Sequence, residues 1–125
     1  MKALQTATAA IEVGAGLALL GLPAMTSQLL VGAALETPGA LTVARLGGAG
    51  LLALGVACWL ARGDENSRAA RALCGGMTVY NLGAVVVLAY AGLGLGLHGL
   101  ALWPAVLLHT GMTAWCVASL RRQRA

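Results

Sequence analysis

The sequence contains few charged residues and no phenylalanine. Asp, Glu, Lys and Arg make up 10% of the 125 residues, while hydrophobic residues make up 59%. Soluble globular domains carry about 25% charged residues, so this composition excludes a domain surrounded by water. The mean hydropathy of +0.84 indicates an integral membrane protein whose main surrounding is the lipid bilayer.

Motifs for catalysis, cofactors and disulfides are also missing. The three cysteines are an odd number without a CxxC pair, which argues against a disulfide framework. No Ser/His/Asp set, Cys/His nucleophile pair, phosphate-binding loop or carboxylate pair is visible, so we expect neither enzyme activity nor a cofactor. The cations behind the net charge of +4 flank apolar segments instead of clustering on a soluble face, which excludes nucleic acid as a partner.

Four apolar segments are long enough to cross a bilayer. A helix of about twenty residues, rising about 1.5 Å per residue, covers a hydrocarbon core of roughly 30 Å. The segments run approximately over residues 4–22, 41–61, 69–93 and 100–120. We therefore predict an all-α membrane protein, a four-helix transmembrane bundle that forms a single domain over residues 1–125.

The basic residues collect on one side of this predicted bundle. With four spans, the N-terminus, the turn between the second and third spans, and the C-terminal tail share a side. These places hold Lys2, Arg62, Arg68, Arg71, Arg121, Arg122 and Arg124. Basic loops stay in the cytoplasm, so both termini are predicted to be cytoplasmic. The Ala-, Gly- and Arg-rich composition is typical of a bacterium, which indicates a multi-pass protein of the bacterial inner membrane.

The connection between the first and second spans predicts a short interfacial helix on the outer membrane surface. Pro23 suits the first turn of such a helix, and Pro38 with Gly39 is expected to end it. Four apolar residues fall on one side of the helix and can rest on the membrane: Met25, Leu29, Leu30 and Ala33.

One ionisable or polar group lies within each predicted span. Glu12 is at the middle of the first span, where a carboxylate facing lipid costs about 2.5 kcal/mol or more. The other spans contain Arg45, Asn81 beside Tyr80, and His109. Small residues share their helix faces, so we expect these groups to converge inside the bundle and Arg45 to meet Glu12. The cluster either fixes helix packing, binds a proton, ion, headgroup or small ligand, or contacts another subunit.

Sulfur-containing side chains form a second set near the cytoplasmic helix ends. Cys58, Cys74 and Cys116 lie within one or two turns of those ends, and Met77 and Met112 lie about one turn deeper. Thiolate and thioether groups suit copper(I) or a similar soft metal. No pair has the spacing of a metal site, and such residues also pack in ordinary cores, so no metal is predicted. A haem pair of His98 and His109 has no other support in the sequence.

Two families of small membrane proteins share features with this chain. Residues 10–23 (AIEVGAGLALLGLP), 44–62 (ARLGGAGLLALGVACWLAR), 79–83 (VYNLG) and 102–109 (LWPAVLLH) resemble small bacterial four-helix proteins of DoxX-like architecture. That resemblance implies the fold and little about activity. Residues 10–14 (AIEVG) are similar to the helix-one pattern of small multidrug-resistance transporters, in which a glutamate exchanges protons for cationic drugs. This second resemblance implies the same role for Glu12, although the helix-three motif of those transporters is absent.

Two functional hypotheses follow from these observations. The eighteen glycines favour close helix packing, so the first is a non-catalytic scaffold or accessory subunit. Such a protein packs with further copies of itself or within a larger membrane complex. The alternative is a proton-coupled small-molecule transporter or ligand-binding bundle that uses Glu12, Arg45, Asn81 and His109.

Overall fold

The computed structural model describes residues 1–64 and 67–122. These residues form five α-helices, and no strand occurs within those two ranges. The helices are α1 (Lys2–Gly21), α2 (Pro23–Val31), α3 (Pro38–Ala61), α4 (Arg68–Leu93) and α5 (Leu102–Arg122). The predicted all-α class is confirmed. Arg124 of the predicted basic tail lies outside the described residues.

Three of these helices have the length and apolar character needed to cross a membrane. They are α1 with 20 residues, α3 with 24 and α4 with 26, so the chain is a membrane protein. Helix α5 has 21 residues and is not among the three. It contains a proline, a histidine and two threonines in its first twelve residues, and these residues lower its hydropathy.

Helices α1 and α3 pack backbone against backbone through glycines. A Cβ atom at Gly16 would lie 2.7 Å from the backbone nitrogen of Leu52, and one at Gly48 would lie 2.9 Å from the carbonyl oxygen of Gly16. A Cβ atom at Gly55 would lie 2.9 Å from the backbone nitrogen of Val13, about one helical turn along α1 from Gly16. Small residues permit such an approach between membrane helices, and here they join α1 and α3 into one tight pair.

Helices α4 and α5 form the second pair. Gly92, near the end of α4, packs under Leu102 and Trp103 at the start of α5. In the connection between the two helices, the chain turns through Gly96 at φ 67°. The Leu97 N–H then donates to the carbonyl of Ala91 at 3.0 Å. This turn returns the chain so that α5 runs beside α4.

Helix α2 is shorter than the sequence predicts. It ends at Gly32, whose left-handed φ of 76° suits glycine, so Ala33 lies beyond the helix. Pro38 begins α3 and does not end α2, because the Thr37 hydroxyl accepts a hydrogen bond from the Ala40 N–H at 3.1 Å and caps the next helix.

The connection before α5 holds α2 against the bundle. The Ala101 N–H donates to the carbonyl of Leu29 at 2.9 Å. Gly99 touches the backbone of Leu30 so closely that no Cβ atom fits there. Helix α2 therefore closes one end of the bundle and does not merely rest on its surface.

The opposite end, which we call the basic end, contains the closely packed core. Its buried apolar residues come from all four long helices: Leu4, Ala9, Cys58, Cys74, Met77, Met112 and Cys116. Because these residues come from the start of α1 and α4 and the end of α3 and α5, those helix ends lie together. The cations Lys2, Arg62, Arg68, Arg71, Arg121 and Arg122 lie at or near these same ends.

Candidate functional site

Glu12 lies on the buried face of α1 with 2% of its surface exposed. Its Oε2 atom has no hydrogen-bond partner within the described ranges. Tyr80, on α4, lines the same cavity as the carboxylate and lies near enough to interact with it electrostatically. A buried carboxylate with one unpartnered oxygen is costly when ionised, so it needs either a proton or a cation.

Asn81 and His109 join α4 to α5 beside this carboxylate. The Asn81 Nδ2 donates to the carbonyl of Met77 at 2.8 Å, which leaves its Oδ1 facing the ring of His109. The Oδ1 and the His109 Nδ1 are 2.7 Å apart. Because Oδ1 can only accept, Nδ1 carries the hydrogen and the Nε2 of a neutral His109 is left as an acceptor.

The ring of Tyr80 connects the two parts of the site. Its centroid lies 5.7 Å from that of His109, with the planes at 85°, an edge-to-face arrangement. Glu12, Tyr80, Asn81 and His109 therefore form one contiguous group across α1, α4 and α5. The structure thus brings together three of the four groups expected to converge, together with Tyr80.

A cavity of about 230 Å³ lies between the helices next to this group. Glu12, Tyr80 and His109 line it on one side, and α2 contributes Thr26, Leu29 and Leu30. The Thr26 hydroxyl already donates to the carbonyl of Leu22 at 2.8 Å. Most of the remaining wall is apolar and includes Leu19, Leu51, Leu88 and Leu108. The cavity therefore combines an apolar body with one polar side.

Arg45 does not join the group. Its side chain is exposed, and its Nε donates to the carbonyl of Leu20 in the last turn of α1 at 3.3 Å. Carbonyl groups at a helix C-terminus lack intrahelical donors and attract cations. Leu20 lies eight residues beyond Glu12, about 12 Å along the helix axis. The expected contact between Arg45 and Glu12 is therefore absent.

The sulfur-containing residues meet in the core of the basic end. Cys58, Cys74, Cys116, Met77 and Met112 are all buried there. The Cys74 thiol donates to the carbonyl of Cys116 at 3.7 Å. Among the residues that the structure describes, no group of three or more His, Cys, Asp or Glu side chains is arranged to hold a metal ion. His98 is exposed in the connection before α5 and does not line the cavity that His109 lines.

Gln5 is a buried polar residue that the sequence analysis missed. It is 3% exposed, and neither Nε2 nor Oε1 has a hydrogen-bond partner in the described part of the chain. Leaving such a group unpartnered costs about 1–3 kcal/mol. Gln5, Thr8 and Glu12 are spaced by three and four residues, so they lie on one stripe of α1. This helical spacing in the sequence could have identified Gln5 as part of the polar face of α1.

A second, much smaller cavity lies beside Gln5. Its volume is about 10 Å³, and its wall includes Gln5, Thr8 and the three cysteines. A cavity of about this volume holds one water molecule when enough polar groups surround it. The polar stripe of α1 therefore leads from this small cavity to the large one.

Comparison with known proteins identifies no relative of this chain. No protein-family model matches it, and neither a curated protein nor a solved structure matches it.

Proposed function

We propose that this protein binds a small amphiphilic cation in the 230 Å³ cavity and that Glu12 exchanges a proton for this ligand. The observation that carries the proposal is the buried Glu12 carboxylate, whose Oε2 has no partner in the described residues. A membrane protein that binds a cation between its helices needs such a carboxylate, because neutral surroundings alone do not hold a cation inside a membrane.

The chemistry of the cavity supports a cationic ligand. Arg45, the one cation set back from the helix ends in the sequence, is engaged with Leu20, so it does not neutralise Glu12. An ionised carboxylate in this apolar setting needs a counter-charge. Without ligand, a bound proton neutralises the carboxylate. With ligand, the ammonium group of the ligand donates a hydrogen bond to Oε2 and balances the charge. Proton and ligand thus compete for one carboxylate.

The dimensions of the cavity favour a small ligand. Binding cavities for drug-sized molecules measure about 300–1,000 Å³, and this one measures about 230 Å³. The apolar wall from Leu19, Leu51, Leu88 and Leu108 suits one aromatic ring or a short alkyl chain. The free Nε2 of His109 can accept a hydrogen bond from a second polar group of the ligand.

The placement in the membrane belongs to the same proposal. We propose that α5 is the fourth span and that the basic end faces the cytoplasm of a bacterial cell. The positive charges at the ends of α3 and α5 and at the starts of α1 and α4 support this orientation. Helix α2 then closes the cavity on the outer side of the inner membrane.

A scaffold function is the second candidate, and a different observation favours it. Gly47 and Gly50 on α3 and Gly83 on α4 are exposed, and a Cβ atom at each would meet nothing within 4 Å. Exposed small residues on membrane helices permit close contact with another helix. This candidate makes the chain a subunit of a homo-oligomer or of a larger complex.

Ligand titration of the purified protein in mild detergent tests the binding proposal. Phenethylamine is the cationic probe and 2-phenylethanol is its neutral counterpart. We expect the wild-type protein to bind phenethylamine with release of a proton, measured by calorimetry in buffers of different ionisation enthalpy. Glu12→Gln should weaken phenethylamine binding about tenfold or more, since it removes the counter-charge, and should leave 2-phenylethanol binding unchanged.

The exposed Glu36→Gln is the matched control, and we expect it to bind as the wild type does. Absence of phenethylamine binding to the wild-type protein would contradict the proposal. Glu12→Gln protein that elutes as a smaller assembly in size-exclusion chromatography, with unchanged ligand binding, would instead support the scaffold function.

A further inference from the structure

The amide of Gln5 is a buried polar group on α1 that needs hydrogen-bond partners. It is 3% exposed, and both of its polar atoms are unpartnered in residues 1–64 and 67–122. It lies on the same stripe of α1 as Glu12 but does not line the large cavity. The binding site described above therefore does not account for it.

The small cavity beside Gln5 has the size and the chemistry to hold one water molecule. Its volume of about 10 Å³ matches a single water, and a buried water needs two to four polar partners. The amide of Gln5 offers both a donor and an acceptor, and the hydroxyl of Thr8 offers one of each. The thiols of Cys58, Cys74 and Cys116 line the same cavity as weaker partners.

This water site lies between the basic end and Glu12. Gln5 is in the first turns of α1, and Glu12 follows seven residues later, about 10 Å along the axis. Thr8 lies between them and is 1% exposed. Thr8 lines the small cavity, and because residues four apart on a helix are neighbours, it lies one turn from Glu12 on the same stripe.

We propose that Gln5 and Thr8 hold a water molecule that connects Glu12 with the basic end for proton transfer. A proton from bulk water binds to the held water, which passes a different proton to the Thr8 oxygen. The Thr8 hydroxyl then releases its original proton to Oε2 of Glu12. Each transfer forms one O–H bond and breaks one, and deprotonation of Glu12 runs the same steps backwards.

Gln5 is a positioning residue in this route. Its Oε1 accepts from the water and its Nε2 donates to it, so the amide orients the water without carrying the proton itself. The proposal deepens and rests on the proposed exchange of a proton for a cation at Glu12. It assigns the proton a path from the basic end, separate from the large cavity that takes the ligand.

Hydrogen–deuterium exchange of the Glu12 carboxyl group tests the proposal. The protein is reconstituted into phosphatidylcholine vesicles, and infrared spectroscopy follows the carbonyl stretching band that Glu12→Gln removes. After transfer to D₂O, we expect Gln5→Met to slow the shift of this band about tenfold or more, because Met has similar bulk but cannot hold the water. Gln5→Asn keeps an amide and should exchange close to the wild-type rate.

The matched control is Gln28→Met, the same change at an exposed position of α2, and we expect wild-type exchange. Thr8→Val is the second test, because it removes the hydroxyl at nearly constant volume and should also slow exchange. Folded Gln5→Met or Thr8→Val protein that exchanges Glu12 as fast as the wild type would overturn the proposal.

Phenethylamine binding separates this proposal from the proposed function. Gln5 does not line the large cavity, so Gln5→Met should keep the wild-type affinity for phenethylamine. Unchanged affinity with slowed exchange supports both proposals. If Gln5→Met slows exchange but the wild-type protein does not bind phenethylamine, the proposed function is overturned and the water site is retained. If Gln5→Met binds phenethylamine and exchanges as the wild type does, the water site is overturned and the proposed function is retained.

Discussion

The two halves of the bundle are built differently. Towards the basic end, thiols, thioethers and alanine fill the space between all four long helices, and the internal cavity beside Gln5 measures about 10 Å³. A pocket of about 330 Å³ on that side opens on the outer face of α1 and α3 and does not enter this core. Towards α2, larger leucines line a cavity of about 230 Å³. Glu12, Tyr80, Asn81 and His109 lie near the junction of the two halves. The interior of one half is therefore closely packed, while the other half leaves space beside the polar group.

The largest effect should come from separating α1 and α3, on which both halves depend. Gly16→Leu places a side chain where the backbone of Leu52 already lies. We expect the free energy of unfolding to fall by about 3 kcal/mol, because the helix backbones cannot both stay in place. Denaturation in mixed detergent micelles measures this change. Gly14→Leu, where a Cβ atom has open space, is the control and should unfold as the wild type does.

Truncation of one side chain in each half tests the difference in packing directly. Met77→Ala at the closely packed basic end should lower the free energy of unfolding by about 2 kcal/mol, since a new void opens there. Leu88→Ala at the large cavity should lower it by about 1 kcal/mol or less, because fewer packing contacts are lost. The same denaturation experiment measures both, and equal losses would contradict the contrast between the halves.

Filling the cavity of about 230 Å³ should weaken phenethylamine binding with little loss of stability. Ala105 lines the cavity, and Ala105→Phe adds an aromatic ring inside it. We expect phenethylamine affinity to fall about tenfold or more, which corresponds to about 1.4 kcal/mol. Titration calorimetry measures the affinity. Ala114→Phe, at an exposed position of the same helix, should bind normally. Undiminished binding by Ala105→Phe would place the ligand elsewhere.

Removal of the Asn81 amide should have a smaller effect that spectroscopy can detect. Asn81→Leu removes the contact to His109 Nδ1 and should lower the free energy of unfolding by about 1 kcal/mol. Nitrogen NMR of labelled histidine should then show a change in the proton distribution between Nδ1 and Nε2. An unchanged histidine spectrum would mean that Asn81 does not hold the tautomer.

The smallest effect should come from Arg45, which lies outside the site. Its Nε contact to the Leu20 carbonyl is exposed, and exposed interactions of this kind contribute about 0.5 kcal/mol or less. Arg45→Gln should therefore alter neither stability beyond that amount nor phenethylamine affinity. A large loss of affinity in this variant would restore Arg45 to the binding site.

Most of the helices were predictable because hydrophobicity and length alone decide what can cross a membrane. The predicted segments at 4–22, 41–61 and 69–93 correspond to α1, α3 and α4 with small shifts at their ends. The end of α2 was harder to predict from the sequence. Pro38 is compatible with the end of one helix and with the first turn of the next, and the cap at Thr37 decided between them.

The site was predictable in part. Glu12, Asn81 and His109 stand out because polar groups in apolar segments are rare. Gln5 did not stand out, since it lies near the start of its helix, where a polar residue commonly faces water. The place of Arg45 depended on which helix end it met, and no property of its own segment indicates that.

The sequence by itself determined that this chain lies in a membrane, which segments are helical and which side chains are too polar to face lipid. These properties follow from local hydrophobicity, helical length and the cost of burying charge. Only the tertiary structure decided that Arg45 caps α1, that Tyr80 lies beside Glu12 and that both line one cavity. These features depend on how helices pair, and the pairing arises from contacts such as Gly16 against Leu52, between residues far apart in the chain.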